Sequence, residues 1–260
     1  MDESWDGAWG APMGGSTLAD ELGVSSMTVR RDVKRLEEEG RLVSVAGGVA
    51  KPARLSLDAT HRVKLGIRPR EKAAIARRAA ELIRPGDLLY LDAGTTMLAL
   101  ARLLAARPAA ERVDVVTNDL AVAAAVGEHP GAQIHVLGGR LDAGNLSTDG
   151  PTAAAELAGF NIDLAFISAS SFDLRGLSVP TEGKAIVKRS IAEHADRCVL
   201  VADSSKYGRV STFKALPLRA FDAIVTDPAL PDAVRDRATA VGVDLLLTSP
   251  PDPSHVGEHP

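Results

Sequence analysis

From Arg70 onward, short and almost wholly apolar runs alternate with helical stretches, and this alternation admits few folds. The runs occupy residues 88–91, 113–116, 134–137, 165–167, 198–201, 223–226 and 243–247. Between them apolar residues recur at helical spacing. Ile75, Ala79, Leu82 and Ile83 mark one helix face before Pro85-Gly86 ends it. Further helices are expected at 95–105, 121–126, 152–157, 182–195 and 231–241. Strands this apolar need cover on both faces, whereas a half-exposed antiparallel strand alternates apolar with polar residues. Residues 70–249 are therefore predicted to form an α/β domain: an open, mainly parallel sheet between helices.

The first part of the chain follows a different pattern. Residues 1–15 are rich in Gly, carry Trp5, Trp9 and Pro12, and show no periodicity, so a disordered start is expected. Residues 16–50 form a small unit of their own. Leu18, Ala19 and Leu22 share one face of a first helix. Gly23 tolerates the positive φ of a tight turn, and the Ser25 hydroxyl is placed to cap a second helix. In that helix Val29, Val33 and Leu36 fall at i, i+4 and i+7 and form the buried stripe. Met27, Arg31 and Lys34 then lie on the opposite face, with Ser26, Thr28 and Arg30 at its N-terminal end and flanks. A recognition helix needs this arrangement: N-terminal side chains for base edges, cations for phosphates. An amphipathic helix pair with a solvated charged face is the alternative. Residues 41–50 read as a short hairpin around Gly47-Gly48. Residues 51–69, with Pro52 and Pro69, suit a linker, and 250–260 a disordered tail.

Composition excludes several classes. The formal net charge is −4, so DNA binding must rest on a local patch rather than on global basicity. Cys198 is the only cysteine, which rules out an intrachain disulfide framework and Cys-rich metal sites; its apolar run predicts a buried structural thiol. The six histidines, His129 and His135 among them, show no ligand spacing, and neither a metal nor a cofactor is expected. No apolar stretch reaches the ~18 residues that span a membrane. An acidic start without an apolar core argues against a secretory signal, so a cytoplasmic location is expected.

Polar residues recur where the predicted strands end. Asp92-Ala93-Gly94-Thr95-Thr96 follows one strand and opens a helix; Gly94 lets backbone approach a ligand, the threonines supply hydroxyls, and the helix N-terminus offers N–H groups to an anion such as phosphate. Thr117-Asn118, Gly138-Gly139, Ser168 with Ser170-Ser171, and Asp203-Ser204-Ser205-Lys206 follow other strands. In a parallel open sheet these ends share one edge, where ligands bind. Taken singly, each residue also reads as a turn former or helix cap.

The run from Leu18 to Val33, with Thr28-Val29-Arg30-Arg31-Asp32 at its centre, resembles the winged helix-turn-helix of the DeoR family of bacterial sugar-metabolism repressors. Glu71-Lys72, Asp92–Thr96, Thr117-Asn118, Leu137-Gly138-Gly139, Gly150-Pro151, Val187-Lys188-Arg189 and Asp203–Gly208 resemble its sensor domain, in order. The resemblance implies a recognition helix over 26–39, a wing over 41–50, and a sensor domain similar to ribose phosphate isomerase that binds sugar phosphates. It further implies that Gly94, Thr95 and Thr96 cradle phosphate and that Asp92, Asn118 and Lys206 contact the sugar or its phosphate. Lys188 is a further candidate, with a solvated helix lysine as the alternative. Two places depart from the family pattern. Residues 1–15 do not read as the helix that normally opens the family's DNA-binding unit, and Ser44 and Ala46 stand where the wing usually carries a basic residue and a histidine. The expected function is a transcription regulator, a repressor of a carbohydrate-utilisation operon, whose partners are double-stranded DNA, a phosphorylated sugar and further copies of itself. A sensor that no longer binds DNA and a sugar-phosphate isomerase are the other readings. For the isomerase, the segment 168–173 offers one carboxylate, Asp173, and only if it reaches inward; no catalytic residue is assigned.

Overall fold

The computed structural model describes residues 12–39, 41–45, 47–51, 53–55 and 59–249. The expected disordered tail, most of the expected disordered start, and Ala46 lie outside them. Within the start, Met13 pairs with Val49 through two 2.9 Å backbone hydrogen bonds, and the first helix begins at Gly15.

Helix α1 (Gly15–Leu22) ends at Gly23, which has φ +63°, and α2 (Ser26–Glu38) follows at once. The Ser25 side chain accepts from Thr28 N at 3.1 Å, so the turn and cap form as the residue types dictate. Val29 is buried, while Val33 and Leu36 are half-buried. Leu22, expected on the packed face of α1, is 65% exposed, because α1 buries no residue fully. Strands β1 (Val43–Val45) and β2 (Gly48–Ala50) form the expected hairpin.

The segment expected to be a linker carries two elements. Strand β3 (Ala53–Leu55) precedes α3 (His61–Leu65), whose first N–H bonds Gly144 O at 2.8 Å. Thr60 caps α3 with a side chain that accepts from Val63 N. A short capped helix held by long-range contacts leaves little periodic signal.

Then follow α4 (Pro69–Ala80), β4 (Leu88–Leu91), α5 (Thr95–Ala105), β5 (Val113–Thr117), α6 (Leu120–Val126) and β6 (Ala132–Val136). A hairpin, β7 (Arg140–Asp142) and β8 (Ser147–Asp149), leads to α7 (Pro151–Leu157) and β9 (Leu164–Ser168). Next come β10 (Ser171–Asp173), β11 (Gly176–Val179), α8 (Glu182–His194), β12 (Cys198–Val201), β13 (Arg209–Ser211) and β14 (Phe213–Pro217). The last elements are β15 (Ala223–Thr226), α9 (Asp232–Ala240) and β16 (Asp244–Leu247).

The central sheet has the order β16-β15-β12-β9-β4-β5-β6, parallel throughout. Alternate residues of each strand face opposite layers. Leu89, Leu91, Phe166 and Val199 pack with Ile75, Leu100, Leu104 and Val122 of α4, α5 and α6. Tyr90, Ala165, Ile167 and Leu200 pack with Leu157, Ile191 and Val234 of α7, α8 and α9. Cys198 lies in the second layer as a buried thiol, pushed up to about 12 chiefly by burial. A small antiparallel sheet, β10-β11-β14, stands beside the main one.

From β4 the chain runs outward through β5 and β6, then returns to place β9 on the other side of β4. The strand order therefore reverses between β4 and β9, and adjacent loops diverge there to open a crevice.

Candidate functional site

That crevice is a cavity. At the reversal it is lined by Asp92, Ala93 and Gly94 after β4, and by Ser168, which ends β9, with Ala169 and Ser170 beyond it. Thr95 and Thr96 of α5, and Asn118 after β5, line one side. Lys206 lines it from the turn after β12. The strand-end residues singled out as ligand contacts thus share one wall-to-wall space. Gly138-Gly139, also at a strand end, is not part of the lining.

Gly94 has φ +148° and caps α5 without a side chain; a Cβ there would sit 3.3 Å from Ser168 Oγ. Its N–H is held by Asp119 Oδ2 at 3.0 Å, and the other Asp119 oxygen caps α6 through Ala121 N and Val122 N. Burial raises the Asp119 carboxyl above its usual range, against the pull of those N–H groups. The first-turn N–H groups of α5 lack intrahelical acceptors and open at the cavity.

Asp92 is 2% exposed. Its Oδ2 accepts from Ser168 N and lies 2.9 Å from Ser168 Oγ, and it pairs with Lys188 Nζ. Lys188 also donates to Ser168 O at 2.9 Å. Lys188 is therefore a buried, paired lysine rather than a solvated one, and Asp92 holds it at the cavity. Asn118 is fixed by Tyr90 Oη, which donates to Oδ1, and by its own Nδ2, which donates to Thr148 O; both are 2.8 Å.

Part of the wall carries no local sequence signal. Lys72, which follows Glu71 in the family motif, is buried and donates to Lys64 O. Burial and then the charge of Lys206 push its amine down to about 8. His61, Lys64 and Ile67 come from the segment read as a linker, and Lys184 and Arg209 from α8 and β13. Among the described residues Lys64, Lys72, Lys184, Lys188, Lys206 and Arg209 line the cavity, and three carboxylates pair with them: Asp92 with Lys188, Asp142 with Lys184 at 3.4 Å and Asp203 with Lys206 at 3.9 Å. Such a surplus of cations suits an anionic guest.

Asp173 is buried but points elsewhere: it pairs with Arg175, with one contact at 2.9 Å, and is absent from the lining. His129 is a structural residue whose Nδ1 accepts from Gly131 N at 3.0 Å, and His135 packs edge-on against Phe160. Among the described residues no cluster of His, Cys, Asp and Glu could hold a metal, and no helix is long and apolar enough to cross a membrane.

On α2, Ser26, Met27, Arg30, Arg31 and Lys34 are exposed and Thr28 is half-exposed. Among the described residues Arg31 has a loose 3.8 Å contact with Asp32 as its one ion pair, and its side chain is 78% exposed. Met27 is 72% exposed on the same face.

Residues 67–228 match the DeoR C terminal sensor domain, and residues 11–50 match an HTH domain. The chain belongs to the DeoR family. It is 44% identical to the uncharacterized HTH-type transcriptional regulator YgbI of Escherichia coli, over 88% of this chain and 89% of that one. It is 32% identical to a putative aga operon transcriptional repressor of Escherichia coli O157:H7, over 90% and 88% of the two chains. Ribose 5-phosphate isomerase A of Methanocaldococcus jannaschii superposes with a TM-score of 0.38 and 18% identity, over 52% of this chain and 53% of that one. This DeoR-family regulator thus carries both units of the family, the helix-turn-helix and the sensor domain, with the cavity at the reversal point of the sensor sheet.

Proposed function

We propose that this chain represses a carbohydrate-utilisation operon and that a phosphorylated sugar, bound in the strand-end cavity, releases it from DNA. The carrying observation is the cation-rich cavity into which the α5 N-terminus opens, within a chain that presents an exposed basic helix face elsewhere. A phosphate accepts from the first-turn N–H groups of α5 and from Thr95 and Thr96, with Lys72 and Lys206 supplying charge. Asn118 and the Asp92–Lys188 pair face the sugar hydroxyls. On DNA, Arg31 reads guanine, Met27 meets a thymine methyl, and Ser26, Thr28, Arg30 and Lys34 complete the contacts. Two recognition helices of a homo-oligomer engage one operator.

The pairing of Asp173 with Arg175 favours a sensor over an isomerase, because among the described residues the cavity lining carries no carboxylate besides Asp92, which is itself paired with Lys188. Release requires the sugar phosphate to bind the DNA-free form more tightly than the DNA-bound form. Selection of operator duplexes with the full chain, followed by fluorescence anisotropy with and without a panel of sugar phosphates, tests this. A rise in the operator Kd with one sugar phosphate is expected, and Arg31→Ala should weaken operator binding by about tenfold or more. An operator affinity indifferent to every sugar phosphate would remove the proposed control.

A further inference from the structure

The segment between the DNA-binding unit and the sensor core contributes a histidine to the cavity, within electrostatic reach of the Asp119 carboxylate. His61 opens α3, is 7% exposed, and lines the cavity. Its Nε2 is buried and finds no hydrogen-bond partner among the described residues. A buried polar atom without a partner costs free energy on the order of 1–3 kcal/mol, so its retention needs a reason. The backbone around it is not at fault. His61 N donates to Gly144 O at 2.8 Å, Thr60 caps the helix, and Lys64 donates to Asn145 Oδ1 at 3.0 Å. The backbone at His61 is thus fixed, and its Nε2 has no partner among the described residues, in a cavity that Thr95, Asn118 and Lys72 also line.

We propose that His61 is an effector-binding residue, supplied by the segment that joins the two units, and that its Nε2 hydrogen-bonds an oxygen of the bound sugar phosphate. This rests on the reading of the cavity as the sugar-phosphate site. The bond satisfies the orphaned atom and ties the effector to the chain a few residues beyond β3. That strand lies in parallel register with β13, Ala53 against Arg209 and Leu55 against Ser211, and β13 follows the turn that carries Lys206. Effector contacts at His61 and Lys206 therefore act on the two ends of one small paired element, on the side of the sensor that meets the DNA-binding unit.

The test compares wild type, His61→Leu and His61→Gln by thermal shift and isothermal titration. The probes are ribose 5-phosphate, glucose 6-phosphate and fructose 1-phosphate, with the unphosphorylated sugars as controls. His61→Leu removes an unsatisfied polar atom at similar volume, so the melting temperature of the unliganded variant should equal or exceed that of wild type. Its Kd for the sugar phosphate that binds wild type should rise by about tenfold or more. His61→Gln, whose amide nitrogen reaches a similar position, should recover much of that loss. A wild type that binds a sugar phosphate while His61→Leu binds it equally well overturns the role of His61 and leaves the cavity reading intact. A His61→Leu chain that loses ligand only in step with a large fall in its own melting temperature marks His61 as a structural residue and also overturns the proposal. A wild type that binds none of the three overturns the cavity reading, and this inference with it.

Discussion

If the cavity binds a sugar phosphate as proposed, Lys72 should make that binding depend on pH. Its amine titrates near 8 in the unliganded protein, held down by burial, by Lys206 and by Lys64, and raised by Asp203 and Glu71. A bound phosphate favours the protonated lysine, so binding takes up a proton once the pH exceeds about 8. Between pH 7 and 9 the phosphate itself stays doubly charged, since its second pKa is about 6. Affinity for a sugar phosphate should therefore hold below pH 8 and fall above it. Lys72→Arg, which stays charged, should flatten that fall in titrations across the range. Gly94 makes a steric prediction. A Cβ at φ +148° and 3.3 Å from Ser168 Oγ strains the turn, so Gly94→Ala should lower stability by about 1 kcal/mol or more in urea melts and weaken ligand binding with it. The buried pair Asp92–Lys188 behaves differently from a surface bridge. Lys188→Met leaves the carboxylate without its countercharge and should cost about 3–5 kcal/mol.

At the scale of elements, what the sequence reveals depends on how local each signal is. The inner strands of the main sheet are legible because they are apolar runs with cover on both faces; 88–91, 198–201 and 223–226 match β4, β12 and β15 residue for residue, whereas the edge strands β6 and β16 are only partly covered. The helix-turn-helix is legible because Gly23, Ser25 and the Val29-Val33-Leu36 spacing act within one short stretch. The small sheet β10-β11-β14 and the hairpin β7-β8 are not, since Ser171–Asp173 and Arg140–Asp142 carry no run or alternation long enough to read. Strand β3 exists through parallel pairing with β13, more than 150 residues away, and no local pattern encodes that. The site divides in the same way. Gly94, Thr95, Thr96, Asn118 and Lys206 sit at strand ends, where topology foretells a ligand edge. Lys72, Lys184 and His61 reach the same cavity from helices whose positions only the folded chain fixes.

Over the whole molecule, the sensor and the DNA-binding unit touch at the turn that carries Lys206. Gly208, at φ +78°, lies so close to the wing that a Cβ would stand 3.2 Å from a Val43 methyl. Tyr207, packed edge-on against Phe172, is pushed up by burial and then by the charge of Glu37, which lies in the last turn of the recognition helix. The buried Glu37 Oε1 and Tyr207 Oη both lack hydrogen-bond partners among the described residues. Gly208→Ala should lower stability by about 1 kcal/mol and reduce the effect of sugar phosphate on operator Kd more than it reduces sugar-phosphate affinity. Binding of a phosphorylated sugar in the cavity is tested most directly by melting the full chain and Thr95→Leu with a panel of sugar phosphates and their parent sugars. The expected result is a rise in melting temperature for at least one phosphorylated sugar, none for its parent sugar, and loss of the rise in Thr95→Leu. An equal rise with the parent sugar, an undiminished rise in Thr95→Leu, or no rise across the panel would contradict it.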